Sequence, residues 1–478
     1  MTRRTNRLLT ISLVLILLTP LGHGMARADS ALPYLSRTKS FSGYNSSVRG
    51  DIRTIGMAGA TVGLADTFIA ATYNPAGLAM ALDNADANFA NMRVHDNAVQ
   101  NYASTLYTDN FGACMADYPW GLSLGYVTPY TEGAIYSPAS SPSNGLELEV
   151  QIRELHLGIA RSFMENRFSL GVDMILGRAY ELVNPLLDPT QGGSTHSYAV
   201  GGTAGAVYKL PDRLLLGLSF SMPMHYAGDT SGQATSALPG FLKPVEVPGR
   251  VGLGLGWIPN RYFRADLTTF LIGNTPNTAL IRDESSTVGN RATVQPHFGM
   301  AYNFSDFREF KATMFLGSYY EVSRIQGAPN RMHATWGVEI HPWLLTIGWG
   351  MDTADSYDSY LASVGVDLIR LMGKLDLIPK PWRPAEGGFL PNPFRMSSEG
   401  LARPLDPEWR PHGEDLNPFR VGWGIPGKLR DVPEKLPQKL LDTGDDLIDM
   451  GQGMLDTVGG LPLRFKELVM PSSSEPKR

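Results

Sequence analysis

From about residue 83 to residue 370, segment after segment alternates between apolar and small or polar side chains. The clearest example runs from Arg250 to Trp257, where every second residue from Val251 is apolar and the residues between are glycines. Successive side chains of a β-strand point to opposite faces, so this period predicts strands with one apolar face each. The apolar face could meet a second sheet or lipid. Alternation alone therefore leaves both a soluble sandwich and a membrane barrel open.

The lengths of the connections favour the barrel. About fourteen segments can be counted, centred near residues 89, 114, 125, 154, 173, 203, 219, 252, 266, 297, 315, 336, 347 and 364. Connections such as Tyr118–Trp120 and Pro259–Asn260 are tight, whereas Thr131–Gly145 and Gly273–Gly289 are long. Short turns on one side and long loops on the other are typical of outer-membrane barrels. We predict a transmembrane antiparallel β-barrel of about 14 strands over residues 83–370.

Two irregularities remain in this count. Short and long connections do not alternate strictly, which predicts that one or two segments are misplaced. In the fourth segment, Val150 and Ile152 occupy even positions, whereas the apolar residues from Leu155 onward occupy odd ones. This change of parity predicts a β-bulge near Arg153–Glu154.

The first 28 residues have the pattern of a cleaved export signal. Three arginines precede an apolar run from Leu8 to Leu18, and Ala26-Arg27-Ala28 matches a small-residue cleavage site. We therefore expect residues 1–28 to be removed and the mature chain to reach the outer membrane. The formal net charge of −5 is spread along the chain, so no nucleic-acid partner is expected.

The chemistry of known active sites is mostly missing. Gly121–Gly125 matches the G-x-S-x-G pattern of hydrolases, but it lies within an alternating strand rather than at a strand-turn-helix elbow. No spacing of His and Cys suggests zinc, and no glycine-rich loop suggests a phosphate site. The sequence predicts a protein that is not an enzyme and has no metal and no cofactor.

Alternation also identifies ionisable residues that should face the barrel interior: Asp173, Arg250, Arg264, Asp266, His297, Lys311, Glu339 and His341. Such residues usually pair with one another and stiffen the wall, which is the default interpretation for each. The functional alternative is that Arg250, Arg264 or Lys311 receives a ligand carboxylate, because a cationic donor can hold an anionic head group.

A compact apolar element precedes the barrel within residues 29–82. Small residues, including Gly56 and Gly59, permit tight packing against other backbone, and Asn74-Pro75-Ala76-Gly77 is a strong turn and helix-start signal. We expect this element to sit inside the barrel as a plug.

The stretch resembles the N-terminal hatch of the long-chain fatty-acid transporter (FadL/TodX) family. The matching residues are Gly56–Ala60, Ala65-Asp66 and Asn74–Leu78, and Val247–Gly256 is similar to a mid-barrel stretch of that family. The resemblance implies a monomeric barrel of fourteen strands, plugged by the hatch. It further implies passive movement of fatty acids or hydrocarbons through a bound state and a lateral exit.

Residues 371–478 depart from that family's pattern. Frequent prolines prevent regular structure over the first half of this tail. The sequence Asn-Pro-Phe-Arg occurs at 392–395 and again at 417–420. The repeat could dock on a partner, pack under the barrel mouth or be a coincidence. Leu440–Leu455 has the spacing of an amphipathic helix.

Two functions follow. The first is an outer-membrane channel for hydrophobic small molecules, gated by the hatch and surrounded by lipid. The second is a barrel that anchors periplasmic or secretion proteins through a periplasmic tail.

Overall fold

A computed structural model describes fourteen ranges of the chain: 48–80, 84–96, 104–117, 119–136, 146–164, 166–185, 193–210, 213–228, 245–274, 292–307, 310–322, 330–355, 357–374 and 388–393. The signal-like segment, the second Asn-Pro-Phe-Arg sequence and the amphipathic stretch at 440–455 lie outside them.

Strands dominate these ranges. They are β1 (Asn84–Asp96), β2 (Ser104–Asp117), β3 (Trp120–Tyr136), β4 (Leu146–Phe163), β5 (Phe168–Pro185), β6 (Gly193–Lys209), β7 (Leu214–Ser221), β8 (Met224–Gly228), β9 (Val245–Val247), β10 (Arg250–Asn260), β11 (Phe263–Ile272), β12 (Thr293–Asp306), β13 (Phe310–Glu321), β14 (Arg331–Pro342), β15 (Leu345–Ala354), β16 (Tyr357–Asp367) and β17 (Gly388–Phe389). The helices are α1 (Ile52–Gly56), α2 (Ala70–Tyr73), a 3₁₀ helix (Pro75–Ala79) and α3 (Leu368–Lys374). Within the described ranges, no helix has the length and apolar character needed to cross a membrane.

Strands β1–β7 and β10–β16 form a closed antiparallel barrel of 14 strands, as the sequence predicts. Strand β7 pairs directly with β10, and β16 pairs with β1 to close the wall. Each of the segment centres found by alternation falls in a different barrel strand. The expectation that one or two segments were misplaced was therefore wrong. It arose because β15 and β16 are joined by a tight turn on the side where the other connections are long.

The two faces of the wall differ as alternation predicts. In β7, Leu216, Leu218 and Phe220 point outward and are about half exposed, whereas Leu215 and Ser219 point inward and are buried. Outward apolar side chains recur around the wall, with Val200 72% and Leu253 58% exposed. A closed wall with an apolar outer face is the arrangement that lipid accepts, because the strands pair most of their backbone groups with one another.

The bulge predicted in β4 is not there. From Gln151 to Phe163 the alternation in β4 is unbroken, and the register of β4 with β5 runs continuously from Leu146 to Phe163. The irregularity lies in the neighbouring strand, where Val127 pairs with Glu154 and Tyr130 pairs with Ile152. Thus β3 carries the extra residue, and Ile152 is an apolar residue on the inner face.

Residues 48–80, here called the inner segment, fill part of the barrel interior. Almost all of their side chains are buried, and they lie against inward-facing glycines of β2–β7, β10 and β12–β15. A Cβ at Gly171, for example, would lie 2.5 Å from the Ala76 nitrogen, and one at Gly350 would lie 2.6 Å from Ile52 Cδ1. The glycines on the inner face of the wall therefore let the inner segment approach the strands closely.

Candidate functional site

Asn74 organises the turn of the inner segment. It caps the 3₁₀ helix that begins at Pro75, and its Oδ1 accepts a hydrogen bond from the Ala76 nitrogen at 3.2 Å. Its Nδ2 donates to the Val62 carbonyl at 2.7 Å and to the Ala206 carbonyl of β6 at 3.2 Å. One buried amide thus joins two parts of the inner segment to the wall, which explains why asparagine stands at this position.

The glycines of the motif allow close backbone approach. A Cβ at Gly77 would overlap the Ala65 carbonyl, and one at Gly56 would lie 2.5 Å from Phe315 Cβ. Gly59 adopts φ +69°, in the left-handed region that glycine enters without a steric penalty. These residues determine the packing of the inner segment. A gating role for them stays a prediction.

A cluster of charges joins the inner segment to the wall. Arg53 Nε donates to Glu339 Oε1 of β14 at 3.1 Å, and Arg53 Nη1 lies 3.8 Å from Asp66 Oδ2. Arg264 of β11 donates to the same Asp66 oxygen. Asp266, also in β11, accepts from the Gly63 nitrogen at 2.9 Å. The inner segment is therefore held by charge-assisted bonds in addition to packing.

Replacing Arg53 with methionine should destabilise the folded barrel by about 3 kcal/mol, because buried Glu339 would lose the guanidinium and keep only the contact with His341 Nε2 at 2.7 Å. Glu339 is only 2% exposed. The measurement is the denaturation midpoint of the full chain in detergent, with the exposed Arg93→Met as the matched control. Equal midpoints for the two variants would contradict the role assigned to Arg53.

A cavity of about 190 Å³ lies between the inner segment and the parts of the strands nearest the long connections. Most of its lining is apolar and includes Ile152, Ile175, Met224, Val247 and Phe270. Two arginines, Arg49 and Arg250, also line it. A mainly apolar cavity with a few polar groups is the usual form of a binding site for small molecules.

Both arginines are associated with Tyr73 of the inner segment. The Arg250 guanidinium lies 4.9 Å from the Tyr73 ring centroid and 4.7 Å from that of Phe270, and its Nη2 donates to the Thr72 carbonyl at 3.0 Å. The Tyr73 hydroxyl donates to the Arg49 carbonyl at 3.3 Å. Burial raises the pKa of that hydroxyl, so it stays neutral.

Arg49 is the less satisfied of the two cations. It is 8% exposed, and its Nε and Nη1 atoms have no hydrogen-bond partner among the described residues. A buried guanidinium with free donors is costly unless an anion binds it. Both atoms are covered by protein, so the Arg49 side chain would have to turn toward the cavity before these donors could bind a carboxylate.

The acidic residue in the lining is already engaged. Glu154 accepts a hydrogen bond from the Tyr226 hydroxyl of β8 at 3.0 Å, and its Oε2 lies 3.2 Å from His156 Nε2. His156 Nδ1 is 2.6 Å from Asp173 Oδ2. This buried cluster connects β4, β5 and β8, and it supports the wall of the cavity.

On the β13–β16 side the lumen is filled by another buried polar network. Glu321 contacts Arg331 and His333 at 2.7 and 2.9 Å, and His333 Nδ1 lies 2.8 Å from Asp352 Oδ1. The Tyr319 hydroxyl donates to Asp352 Oδ2 at 2.7 Å. This network and the inner segment fill the rest of the lumen. The cavity therefore lies beside β3–β12.

The wall beside the cavity is incomplete. Strands β2 and β3 pair only from Asp117–Trp120 to Phe111–Tyr126, although β2 extends to residue 104 and β3 to residue 136. Beyond that point the Asn110 side chain replaces the ladder, accepting from the Thr128 nitrogen at 2.9 Å. Pro129, which has no N–H group, also lines the cavity. The cavity therefore adjoins a gap in the β2–β3 ladder.

The three cations proposed as ligand contacts lie in different surroundings in the structure. Only Arg250 reaches the cavity. Arg264 pairs with Asp66, as described above, and Lys311 lies 3.6 Å from Asp306 at the end of β12. Arg49 was missed from the sequence, because it precedes the glycine-rich motif and belongs to no alternating strand.

Ser123, the central residue of the G-x-S-x-G match, lies within β3, four residues into the strand, between Cys114 of β2 and Gly158 of β4. A nucleophile elbow requires a sharp strand-to-helix turn at this serine, and a continuous strand takes its place here. Within the described ranges, no cluster of His, Cys, Asp and Glu is arranged to hold a metal ion.

Two solved structures are similar to the barrel. A Pseudomonas aeruginosa FadL homologue matches over 69% of this chain and 100% of its own, with a TM-score of 0.51 and 14% sequence identity. The Ralstonia pickettii toluene transporter TbuX covers 68% of this chain and 98% of its own at 11% identity, with a TM-score of 0.47.

No family model matches the chain, and no curated protein does. At this low identity the comparisons establish fold. The chain is a closed antiparallel barrel of 14 strands, and its fold is similar to that of the FadL homologue, as the sequence resemblance implied.

Proposed function

We propose that the chain is an outer-membrane channel of the fatty-acid transporter family that takes up long-chain fatty acids or similar amphipathic anions. The observation that carries the proposal is the apolar cavity with two buried arginines, Arg49 and Arg250. Guanidinium groups can bind a carboxylate in a bidentate manner, while the aliphatic lining takes the chain. An uncharged hydrocarbon would use the lining but leave the free donors of Arg49 unsatisfied.

The proposal includes a lateral route into the membrane. The gap between β2 and β3 adjoins the cavity through Val127, Pro129 and Tyr130. A ligand leaving there would pass directly from an apolar cavity to lipid and would avoid the inner segment beneath it. Movement of the inner segment, the proposed hatch, would then adjust the cavity rather than open a pore along the barrel axis.

We also propose the cellular setting of the barrel. Residues 1–28 are removed on export, and the barrel acts as a monomer surrounded by outer-membrane lipid. Its short turns and the tail 371–478 face the periplasm, because outer-membrane barrels place short turns on that side.

The test is uptake of labelled oleate by host cells that lack their own fatty-acid transporter. Cells expressing the chain should show saturable uptake. In a Cys114→Ala background, a disulfide between Asn110→Cys and Thr128→Cys should close the gap, and reductant should restore uptake. The matched control is Leu155→Cys with Leu176→Cys, which links outward-facing residues that are already paired.

Two outcomes separate the parts of this proposal. Full uptake with the oxidised Asn110–Thr128 pair would contradict the lateral route alone. Uptake no greater than in cells without the chain, although the barrel is inserted, would contradict transport itself.

A further inference from the structure

Strand β12 leaves part of one edge open at the short-turn end of the barrel. Its pairing with β11 ends at Tyr302–Phe263, and the Asn303 nitrogen then donates to the Tyr262 carbonyl at 2.7 Å. Beyond this point Phe304–Asp306 continue past the β10–β11 turn. An open strand edge accepts an added strand, because its backbone groups need partners.

The tail occupies this edge. In β17, Phe389 pairs with Ser305 and Gly388 pairs with Asp306. The next nitrogen, that of Leu390, donates to the Phe304 carbonyl at 2.8 Å. The bound stretch thus starts four residues before the first Asn-Pro-Phe-Arg sequence.

Two wall side chains bind the residues that follow. The Tyr302 hydroxyl donates to the Pro391 carbonyl at 2.7 Å, and Asn260 Nδ2 donates to the Pro393 carbonyl at 2.6 Å. We call Phe304–Asp306, Tyr302 and Asn260 the rim edge. Every tail group in these bonds belongs to the main chain, so the rim edge recognises a backbone shape more than particular side chains.

That backbone shape requires two residues in the left-handed region, where φ is positive. Gly388 has φ +72° and Leu390 has φ +52°. Leucine in this region is disfavoured about tenfold, whereas glycine, asparagine and aspartate enter it more readily. Leu390 and Phe389 are 59% and 65% exposed, so burial of their side chains does little to offset the strain.

The second Asn-Pro-Phe-Arg sequence is preceded by residues that suit the same shape. Gly413 stands at the same distance from this motif as Gly388 from the first, and Asp415 corresponds to Leu390. Glycine recurs where φ is positive, and a residue that tolerates a positive φ replaces the strained leucine. The two copies are 25 residues apart in the tail.

We propose that the rim edge is a docking site shared by two segments of this tail, 388–395 and 413–420, which exchange on it. Exchange to the second segment lengthens the stretch between α3 and the rim edge and shortens the free end of the tail. The rim edge therefore sets how much of the tail extends away from the barrel.

Cross-linking in the full chain tests this directly. In a Cys114→Ala background, Ser305→Cys is combined with Phe389→Cys, with Glu414→Cys, or with Asp406→Cys as the control. Asp406 lies between the two motifs, so it measures cross-linking that arises from tethering alone. We expect the 305–389 link to dominate and the 305–414 link to exceed the 305–406 link.

Substitutions at Gly388 and Leu390 should change the ratio of the 305–414 link to the 305–389 link. Gly388→Val should raise the ratio of the 305–414 link to the 305–389 link about tenfold, because β-branched residues are strained at this φ. A Cβ at Gly388 meets nothing within 4 Å, so the substitution tests backbone strain alone. Gly388→Asn should change the ratio far less, and Leu390→Gly should lower it.

Each result bears on the proposal. Absence of the 305–389 link in a correctly inserted barrel would overturn the docking site. A 305–414 link that equals the 305–406 link and does not respond to Gly388→Val would overturn the exchange.

Discussion

Replacing Arg49 and Arg250 together with methionine should weaken dodecanoate binding to the purified chain about a hundredfold or more. Hydrogen bonds to charged groups contribute about 1.5–3 kcal/mol each, and both cations would be lost. Dodecanol binding should change far less, because methionine keeps the cavity apolar and fills a similar volume. The measurement is equilibrium binding in detergent solution.

The control for this prediction is Arg153→Met, which removes an exposed cation from the outer face of β4 beside the same cavity. It should leave the binding of both compounds unchanged. Equal losses for dodecanoate and dodecanol in the double variant would mean that the cavity had collapsed. Unaltered dodecanoate binding would contradict the assignment of the two arginines.

Gly217→Val should make the barrel leak. A Cβ at Gly217 would overlap the Val62 carbonyl of the inner segment. Overpacking of this kind costs about 1–3 kcal/mol, which raises the population of a displaced inner segment roughly five- to 150-fold. Influx of a small hydrophilic dye into liposomes that contain the chain measures this displacement.

Leu218→Val is the matched control on the same strand, because Leu218 points outward and is 50% exposed. It should leave the dye excluded. A Gly217→Val barrel that is folded and equally tight would show that the inner segment does not depend on close approach to the wall glycines.

The strands could be found from sequence for a physical reason. Their outer residues face an apolar surround and many inner ones face small or polar groups, so nearly every strand carries the same alternation. The exception at Ile152 is informative. An apolar residue on the inner face was interpreted as a bulge in β4, but Ile152 lines an apolar cavity. A break in the pattern thus marked the candidate site rather than a defect in the strand.

The sequence could not predict which groups the inward-facing cations contact. Alternation placed Arg250 and Arg264 inward. However, whether such a residue meets the cavity, as Arg250 does, or the inner segment, as Arg264 does, depends on contacts distant in sequence. Lys311 pairs with Asp306 across the β12–β13 turn. The docking of Gly388–Pro393 on the rim edge could not be predicted from the sequence either, because the tail contributes only main-chain atoms to these hydrogen bonds.

A structure of the full chain with saturating dodecanoate tests the central claim most directly. The account predicts one ligand in the cavity, with its carboxylate within hydrogen-bond distance of Arg49 and Arg250 and its chain against Ile152 and Phe270. A cavity without ligand, or dodecanoate bound only on the outer surface of the barrel, would contradict it.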